Sequence, residues 1–376
     1  MSSTKEENRF DHIIIGAGAV GCAIARQICL SRPAAKVLIV EKNSDICMET
    51  SKHNSGVIHS GLHLNPSFLK ARFAREGSAK VVAFCKDKNV PYRKCGMIIA
   101  GTMPKLSEFG SVFSQLGALK DLYRRAAAQR IPVRMLSPIG VRRFEPAIRT
   151  LLGIYVSEVH IIDSVAYVRA LFADAVSAGA LTLLSGQQIT RIERDAHDYV
   201  LYGSEKVFRA PCVINAAGLY AHEIARAAGF NYQVYFYSGE YYKVVSEKKN
   251  KINGTLIYPA TKPGSPGLGI HITKKLSGDV YLGPNALPSA GPVFDVSRRT
   301  PPHVFVDAVK PFWPELEVSD VEWAYAGVRP KAVNKGEGDF IIKKDSADPV
   351  FINLIGIESP GLTASMAIAE HVMGML

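Results

Sequence analysis

The run Gly16-Ala17-Gly18-Ala19-Val20-Gly21 constrains this chain more than any other feature. It follows His12 to Ile15, a short apolar run that reads as a buried parallel strand. It opens a stretch with Val20, Ile24, Ile28 and Cys29 at spacings of three and four, which predicts a helix ending near Pro33. Lys36 to Lys42 then reads as a second strand. This strand–turn–helix–strand context turns a common glycine pattern into a dinucleotide-binding fingerprint. Gly16 permits the tight turn, Gly18 lets a phosphate approach the backbone, and Gly21 lets helix and sheet pack closely. Ala19 lies in the first helical turn, where free N–H groups and the positive dipole end favour a pyrophosphate. Glu41, followed by Lys42, is spaced to accept hydrogen bonds from a ribose.

Composition fits a folded globular enzyme rather than a disordered chain. The chain has 376 residues, 47% hydrophobic and 21% charged, enough for a sizeable core and two lobes. The net charge of +11 includes a cluster at Lys120, Arg124, Arg125 and Arg130, then Arg134, Arg142 and Arg143. These basic residues read as a solvated helix face. Attraction to an anionic substrate, or peripheral contact with a membrane surface, is the lesser reading. No basic module interleaved with aromatic residues suggests nucleic acid. The six cysteines lack CxxC spacing and adjoin no histidine pair, so neither a metal nor a structural disulfide is expected. The first ten residues lack the features of a signal or transit peptide. The expected location is cytoplasmic, with a mitochondrial one as the alternative.

Along the chain, Pro66 to Asn89 reads as a helix with Leu69, Phe73, Gly77, Val81, Phe84 and Cys85 on one face. Residues 104–150 read as an insertion of helices and turns, and Asp163 to Ala178 as another helix. Leu181–Leu184, Gln188–Ile192 and Val207–Asn215 read as strands, the last running into Ala216-Ala217-Gly218. From Tyr232 to Ala286, short aromatic and β-branched runs alternate with turns, which predicts an antiparallel sheet. Strand character returns at Phe340–Ile342 and Val350–Leu354, before a final helix over Thr363–Met375.

The order of motifs resembles that of the FAD-dependent, D-amino-acid-oxidase-like oxidoreductases, and within them the L-2-hydroxyglutarate dehydrogenase and oxidase subgroup. Five segments carry the resemblance: the fingerprint, His53-Asn54-Ser55-Gly56-Val57-Ile58-His59-Ser60-Gly61, Gly239-Glu240-Tyr241-Tyr242, Tyr281-Leu282-Gly283-Pro284-Asn285-Ala286, and Gly356-Ile357-Glu358-Ser359-Pro360-Gly361-Leu362-Thr363. At the position before Gly239, where a basic residue is expected, the chain has Ser238. The resemblance implies an α/β fold: a Rossmann-type FAD-binding domain with an inserted antiparallel-sheet substrate domain. Residues 1–80, 161–230 and 323–376 would build the FAD lobe. Residues 81–160 would form a helical insertion and part of the substrate lobe, and 231–322 the antiparallel sheet.

FAD is the implied cofactor and an L-2-hydroxy acid, foremost L-2-hydroxyglutarate, the implied substrate. Oxidation to the 2-keto acid would proceed by hydride transfer to flavin N5. Cofactor contacts are expected from the fingerprint, Glu41 and Lys42, from Ser51, His53, Asn54, Ser55 and Gly56, from Ile189, Ala217, Gly218 and Gly327, and from Pro360, Gly361, Leu362 and Thr363. The N–H groups of the last three would face the flavin edge where charge develops on reduction. Arg329, in Gly327-Val328-Arg329-Pro330, is the candidate for the substrate carboxylate, which a guanidinium grips with two parallel hydrogen bonds. His59 and His271 are both candidates for the base, with His53 and His63 in reserve, and an ordinary imidazole would titrate near 6.5. Tyr241 and Tyr242 point to opposite faces of their strand, with Tyr241 favoured on the substrate side. Without a second fingerprint, NAD(P) is not expected, and electrons would leave to oxygen, a quinone or a carrier protein. The alternatives are a related FAD enzyme acting on an amino acid, an amine or glycerol 3-phosphate, and a flavin-binding protein without turnover.

Overall fold

A computed structural model describes residues 8–102, 109–261, 268–294 and 298–376, with side chains from 115 onward in the helix that begins at 109. The start of the expected 104–150 insertion therefore lies outside the described residues.

The fingerprint sits where its sequence context puts it. Strand His12–Ile15 is wholly buried and leads through Gly16, at φ +106, into helix Ala19–Ser31. A Cβ on Gly16 would lie 2.5 Å from the Ala216 carbonyl oxygen, and one on Gly21 only 2.0 Å from that of Gly16. Both positions therefore require glycine. The helix ends at Ser31 because the residue before Pro33 is turned away from helical geometry.

Around this unit lies a six-stranded sheet in the order Ile341–Ala347, Val350–Ile355, Cys212–Asn215, His12–Ile15, Val37–Val40 and Leu181–Leu184. All neighbours in it are parallel except the Ile341–Ala347 edge. The fingerprint helix packs with helices Ser164–Ala178 and Gly361–Met373 in one hydrophobic cluster. Helix Leu69–Asp87 crosses the C-terminal helix at Gly77, where a Cβ would come within 2.2 Å of the Thr363 carbonyl oxygen.

The second lobe is a nine-stranded sheet, antiparallel but for the parallel pair Leu256–Pro259 with Met97–Gly101. Several expectations need correction here. The region 81–160, expected as a helical insertion and part of the substrate lobe, gives this sheet three strands, Met97–Gly101, Val133–Leu136 and Leu152–Val156, beside helix Phe109–Ala128. Val207–Asn215 is two strands in different sheets, Val207–Ala210 and Cys212–Asn215. They part at Pro211, which has no N–H to continue a ladder. The strand expected at Gln188 begins at Arg191.

The strand Val321–Lys331 was not anticipated. It pairs along its length with Tyr235–Val244, so the substrate sheet continues past residue 322. It is an edge strand, which is where Pro330 can be tolerated.

Candidate functional site

A cleft of about 880 Å³ runs from Gly18 and Ala19 past Ser51–Gly56 and Pro360–Leu362 to His59, His63 and His271 under the large sheet. It is larger than one small substrate needs and joins the fingerprint to the substrate lobe.

At the fingerprint end, Gly18 caps the helix in extended conformation with no side-chain cap. The N–H groups of Gly18 and Val20 have no partner among the described residues, which suits an anion. The Ala19 N–H is taken, donating to Ser51 Oγ at 3.0 Å. Glu41, 8% exposed, accepts from Ala17 N at 2.9 Å and from Asn43 N and Nδ2 at 2.8 Å each. These bonds fix its carboxylate beside the fingerprint with lone pairs to spare. Lys42 pairs with Glu49 and lies over the Tyr220 ring. Glu41, Lys42, Ile189 and Ala217 are not among the residues lining this cleft, and Ile189 belongs to a hydrophobic cluster. Gly218, at φ +56, does line the cleft.

The segment His53–Gly56 is held rigidly. Asn54 Nδ2 donates to the Thr50 and Ser51 carbonyls, and Asn54 Oδ1 accepts from Gly56 N at 2.7 Å. His53 Nδ1 lies 2.9 Å from the Glu49 carbonyl. Gly327 faces this segment so closely that a Cβ would sit 2.2 Å from the His53 carbonyl oxygen. Ser55 Oγ meets Tyr241 Oη at 2.8 Å, and Tyr241 stacks on Tyr325 with centroids 4.5 Å apart. Tyr242 turns the other way, its hydroxyl donating to the Thr300 carbonyl. Tyr241 is therefore the tyrosine at the cleft, where burial raises its hydroxyl pKa.

At the C-terminal helix, the Gly361 N–H is already used, donating to the Glu358 carbonyl at 2.6 Å. This corrects the expectation for Gly361. The N–H groups of Leu362 and Thr363 are free of partners among the described residues, after Pro360. Thr363 Oγ1 accepts from the His59 N–H at 3.1 Å, tying the helix start to the segment carrying His59.

The substrate end gathers three histidines around Tyr258. His271 stacks on this ring at 3.8 Å, His63 at 6.2 Å, and His59 meets it edge-on at 6.4 Å. Burial pushes His271 down to about 3 and His59 and His63 to about 4, so all three are neutral near pH 7. The ordinary value near 6.5 does not apply here. His271 Nδ1 lies 2.9 Å from the Gly269 carbonyl, which can only accept. The ring proton is therefore on Nδ1, and the buried Nε2 keeps its lone pair with no partner in the described structure. Arg329 reaches the same cleft, its Nη2 3.3 Å from where a Gly239 Cβ would stand, and has no carboxylate partner among the described residues.

Ser238 does not face this cleft. Gly239 and Tyr241 do, so Ser238, one residue before them, points to the opposite side of the strand. The missing basic residue therefore takes nothing from the cleft wall.

Sequence reasoning missed Tyr258, Lys275 and Tyr325. Lys275 Nζ donates to Tyr325 Oη at 2.9 Å, and Tyr325 Oη to the Asn54 carbonyl at 3.2 Å. Burial lowers the Lys275 ammonium to about 8. Only the aromatic run around Tyr258 hinted at this wall.

Comparison with known proteins agrees with this geometry. The sequence pattern of the family described as "FAD dependent oxidoreductase" matches residues 11–375. The chain is 28% identical to an L-2-hydroxyglutarate dehydrogenase of Indibacter alkaliphilus, covering 96% of this chain and 98% of the relative. It is 26% identical to the mitochondrial L-2-hydroxyglutarate dehydrogenase of Homo sapiens, over 99% and 89% of the two chains. Among solved structures, the FAD-bound L-alpha-glycerophosphate oxidase of Mycoplasma pneumoniae superposes with a TM-score of 0.86 at 26% identity, covering 98% of this chain and 94% of that one.

Proposed function

Because the chain belongs to the FAD dependent oxidoreductases, we propose that it oxidises an L-2-hydroxy acid, with L-2-hydroxyglutarate as the leading substrate, to the 2-keto acid. Bound FAD supplies the acceptor for the hydride that leaves the substrate Cα. The Gly18 and Val20 N–H groups, with Ser51 beside them, would hold its pyrophosphate, and Glu41, fixed on the Ala17 N–H, would hold its ribose. The unpartnered N–H groups of Leu362 and Thr363, at the start of the last helix, would stabilise negative charge on the bound cofactor.

Arg329 grips the substrate carboxylate with its planar fork and fixes the Cα in register. His271 accepts the hydroxyl proton on Nε2. His59, anchored through its N–H to Thr363, orients the same hydroxyl. Tyr241, braced by Ser55 and Tyr325, closes the wall and keeps water away. One observation carries the reading: an unpaired guanidinium and an unpartnered imidazole nitrogen share the cleft that begins at the fingerprint. A protein that only stored a flavin would need neither. The electrons leave to oxygen, a quinone or a carrier protein.

The test is anaerobic bleaching of the purified yellow protein by L- and D-2-hydroxyglutarate, L-lactate, L-malate, glycerol 3-phosphate, and a set of amino acids and amines. Selective bleaching by L-2-hydroxyglutarate supports the reading. Bleaching by amino acids or amines alone overturns it. Glycerol 3-phosphate is the second reading, favoured by the similarity to the Mycoplasma oxidase. Arg329 would grip a phosphate as readily as a carboxylate.

A further inference from the structure

Among the described residues, four cations line the cleft: Lys70, Arg125, Arg329 and Lys331. Two of them are already engaged. Lys70, 3% exposed, faces Glu337 at 3.6 Å and Glu358 at 3.8 Å, and Lys331 Nζ donates to the Gly336 carbonyl at 2.9 Å. Arg329 and Arg125 have no carboxylate or carbonyl partner for their guanidinium groups among the described residues. Arg125 comes from helix Phe109–Ala128, whose other cleft residues are Ala118, Asp121 and Leu122. Asp121 lies one turn before Arg125 but pairs with Arg124, at 3.8 Å.

Both free arginines line the cleft that holds the three histidines. The positive charge of Arg329 bears on His271, Tyr258 and Tyr241, and that of Arg125 on His63. His59 and His63 both lie near enough to His271 for their charges to bear on it. His63 Nε2 is buried with no hydrogen-bond partner in the described structure. Neutral aromatic groups and two unpaired guanidinium groups in one cleft suit a molecule with two anionic groups. A buried nitrogen left unsatisfied costs stability unless a ligand completes it.

We propose that Arg125 and His63 form a second anion subsite, which takes the distal carboxylate of a dicarboxylic 2-hydroxy acid while Arg329 holds the carboxylate next to the reacting carbon. The proposal rests on the hydroxy-acid reading and adds what would set chain length and distal charge. Arg125 is a specificity-determining residue in it and takes no part in the proton or hydride steps.

The test compares FAD-loaded wild-type protein with Arg125→Met and Arg125→Lys. Two measurements are made. The first is kcat/KM for L-2-hydroxyglutarate against L-2-hydroxypentanoate, which has the same chain length without the second carboxylate. The second is equilibrium binding of glutarate against pentanoate, read from the flavin absorbance shift without turnover. Arg125→Met should lose roughly ten- to hundredfold in kcat/KM for the dicarboxylate, the size of one charge-assisted hydrogen bond. It should keep the wild-type value for the monocarboxylate, and Arg125→Lys should recover part of the loss. The preference for glutarate over pentanoate should collapse in parallel. Equal effects on both acids, or none, overturn the subsite while leaving the hydroxy-acid reading intact. If no hydroxy acid bleaches the flavin yet glutarate binding still depends on Arg125, the subsite stands and the reaction assignment falls. If glutarate binding ignores Arg125, the subsite falls whatever the reaction.

Discussion

The three histidines around Tyr258 make a measurable demand on the acid side of the stability curve. His271 is held down to about 3, and His59 and His63 to about 4, chiefly by burial. In the unfolded chain each would titrate near ~6.5. Between these values the unfolded state binds protons that the folded state refuses, so stability must rise with pH there. Read downward, the contribution is whole above about pH 6.5 and is lost as the pH falls toward 4. Each histidine removes about 1.4 kcal/mol per pH unit inside the window, or roughly 2 kcal/mol each by pH 5. Together they approach about 6 kcal/mol, comparable with the whole stability of many domains at roughly 5–15 kcal/mol. The assay is urea unfolding of the FAD-loaded protein from pH 7.5 to 4.5, with the same series for His271→Gln. The variant should lose about one proton from the slope, whatever its stability at pH 7.5. The same burial puts the acid limb of flavin reduction below pH 5. A clear limb near pH 6.5, or a His271→Gln slope equal to wild type, would refute the claim that these rings are buried and neutral.

Gly327→Ala forces a Cβ to within 2.2 Å of the His53 carbonyl oxygen. It should cost about 1–3 kcal/mol in unfolding free energy and slow flavin reduction by roughly a hundredfold. Gly117→Ala, with nothing within 4 Å of the new methyl, should gain up to about 1 kcal/mol. Similar melting shifts for the pair would contradict the contact. Arg329→Lys should keep its FAD but lose about one to two orders of magnitude in kcat/KM, because an ammonium cannot make the paired bonds. Near-normal kinetics would place Arg329 outside substrate contact. Gly18→Val should abolish FAD retention through a side chain at the pyrophosphate, and a yellow variant would count against that position.

Much of the cofactor lobe was legible because its determinants are local. Gly16, Gly18 and Gly21 act within one turn, and the buried runs at His12–Ile15 and Val37–Val40 declare strands by composition alone. The substrate lobe was less legible because pairing decides it. Val321–Lys331 carries Gly327 and Pro330 and shows no simple alternation. It becomes a strand only because Tyr235–Val244 offers it an edge. Pro211 hid a change of sheet inside what reads as one run. At the site, His271, His59 and Arg329 carried chemical signatures and do converge on one cleft. Lys275 carried none, Tyr258 showed only as part of an aromatic run and Arg125 only as part of a basic helix face, since such residues acquire their meaning from neighbours far off in sequence. The loss of basicity at His271 was likewise invisible, because burial is a property of the finished fold.

The absent methyl groups at Gly327, Gly77 and Gly16 have a mechanical consequence. At each, main chain rests on main chain: strand against the His53 segment, helix against helix at Thr363, turn against turn at Ala216. Lobes that open and shut generally slide on a cushion of side chains that can change rotamer. Of the three, only the Gly327 seam joins the substrate sheet to the cofactor lobe, and it has no cushion, while the other two stiffen the cofactor lobe itself. The molecule should work as a fixed socket whose traffic passes at the rim, and solvent viscosity should slow product departure more than bond breaking.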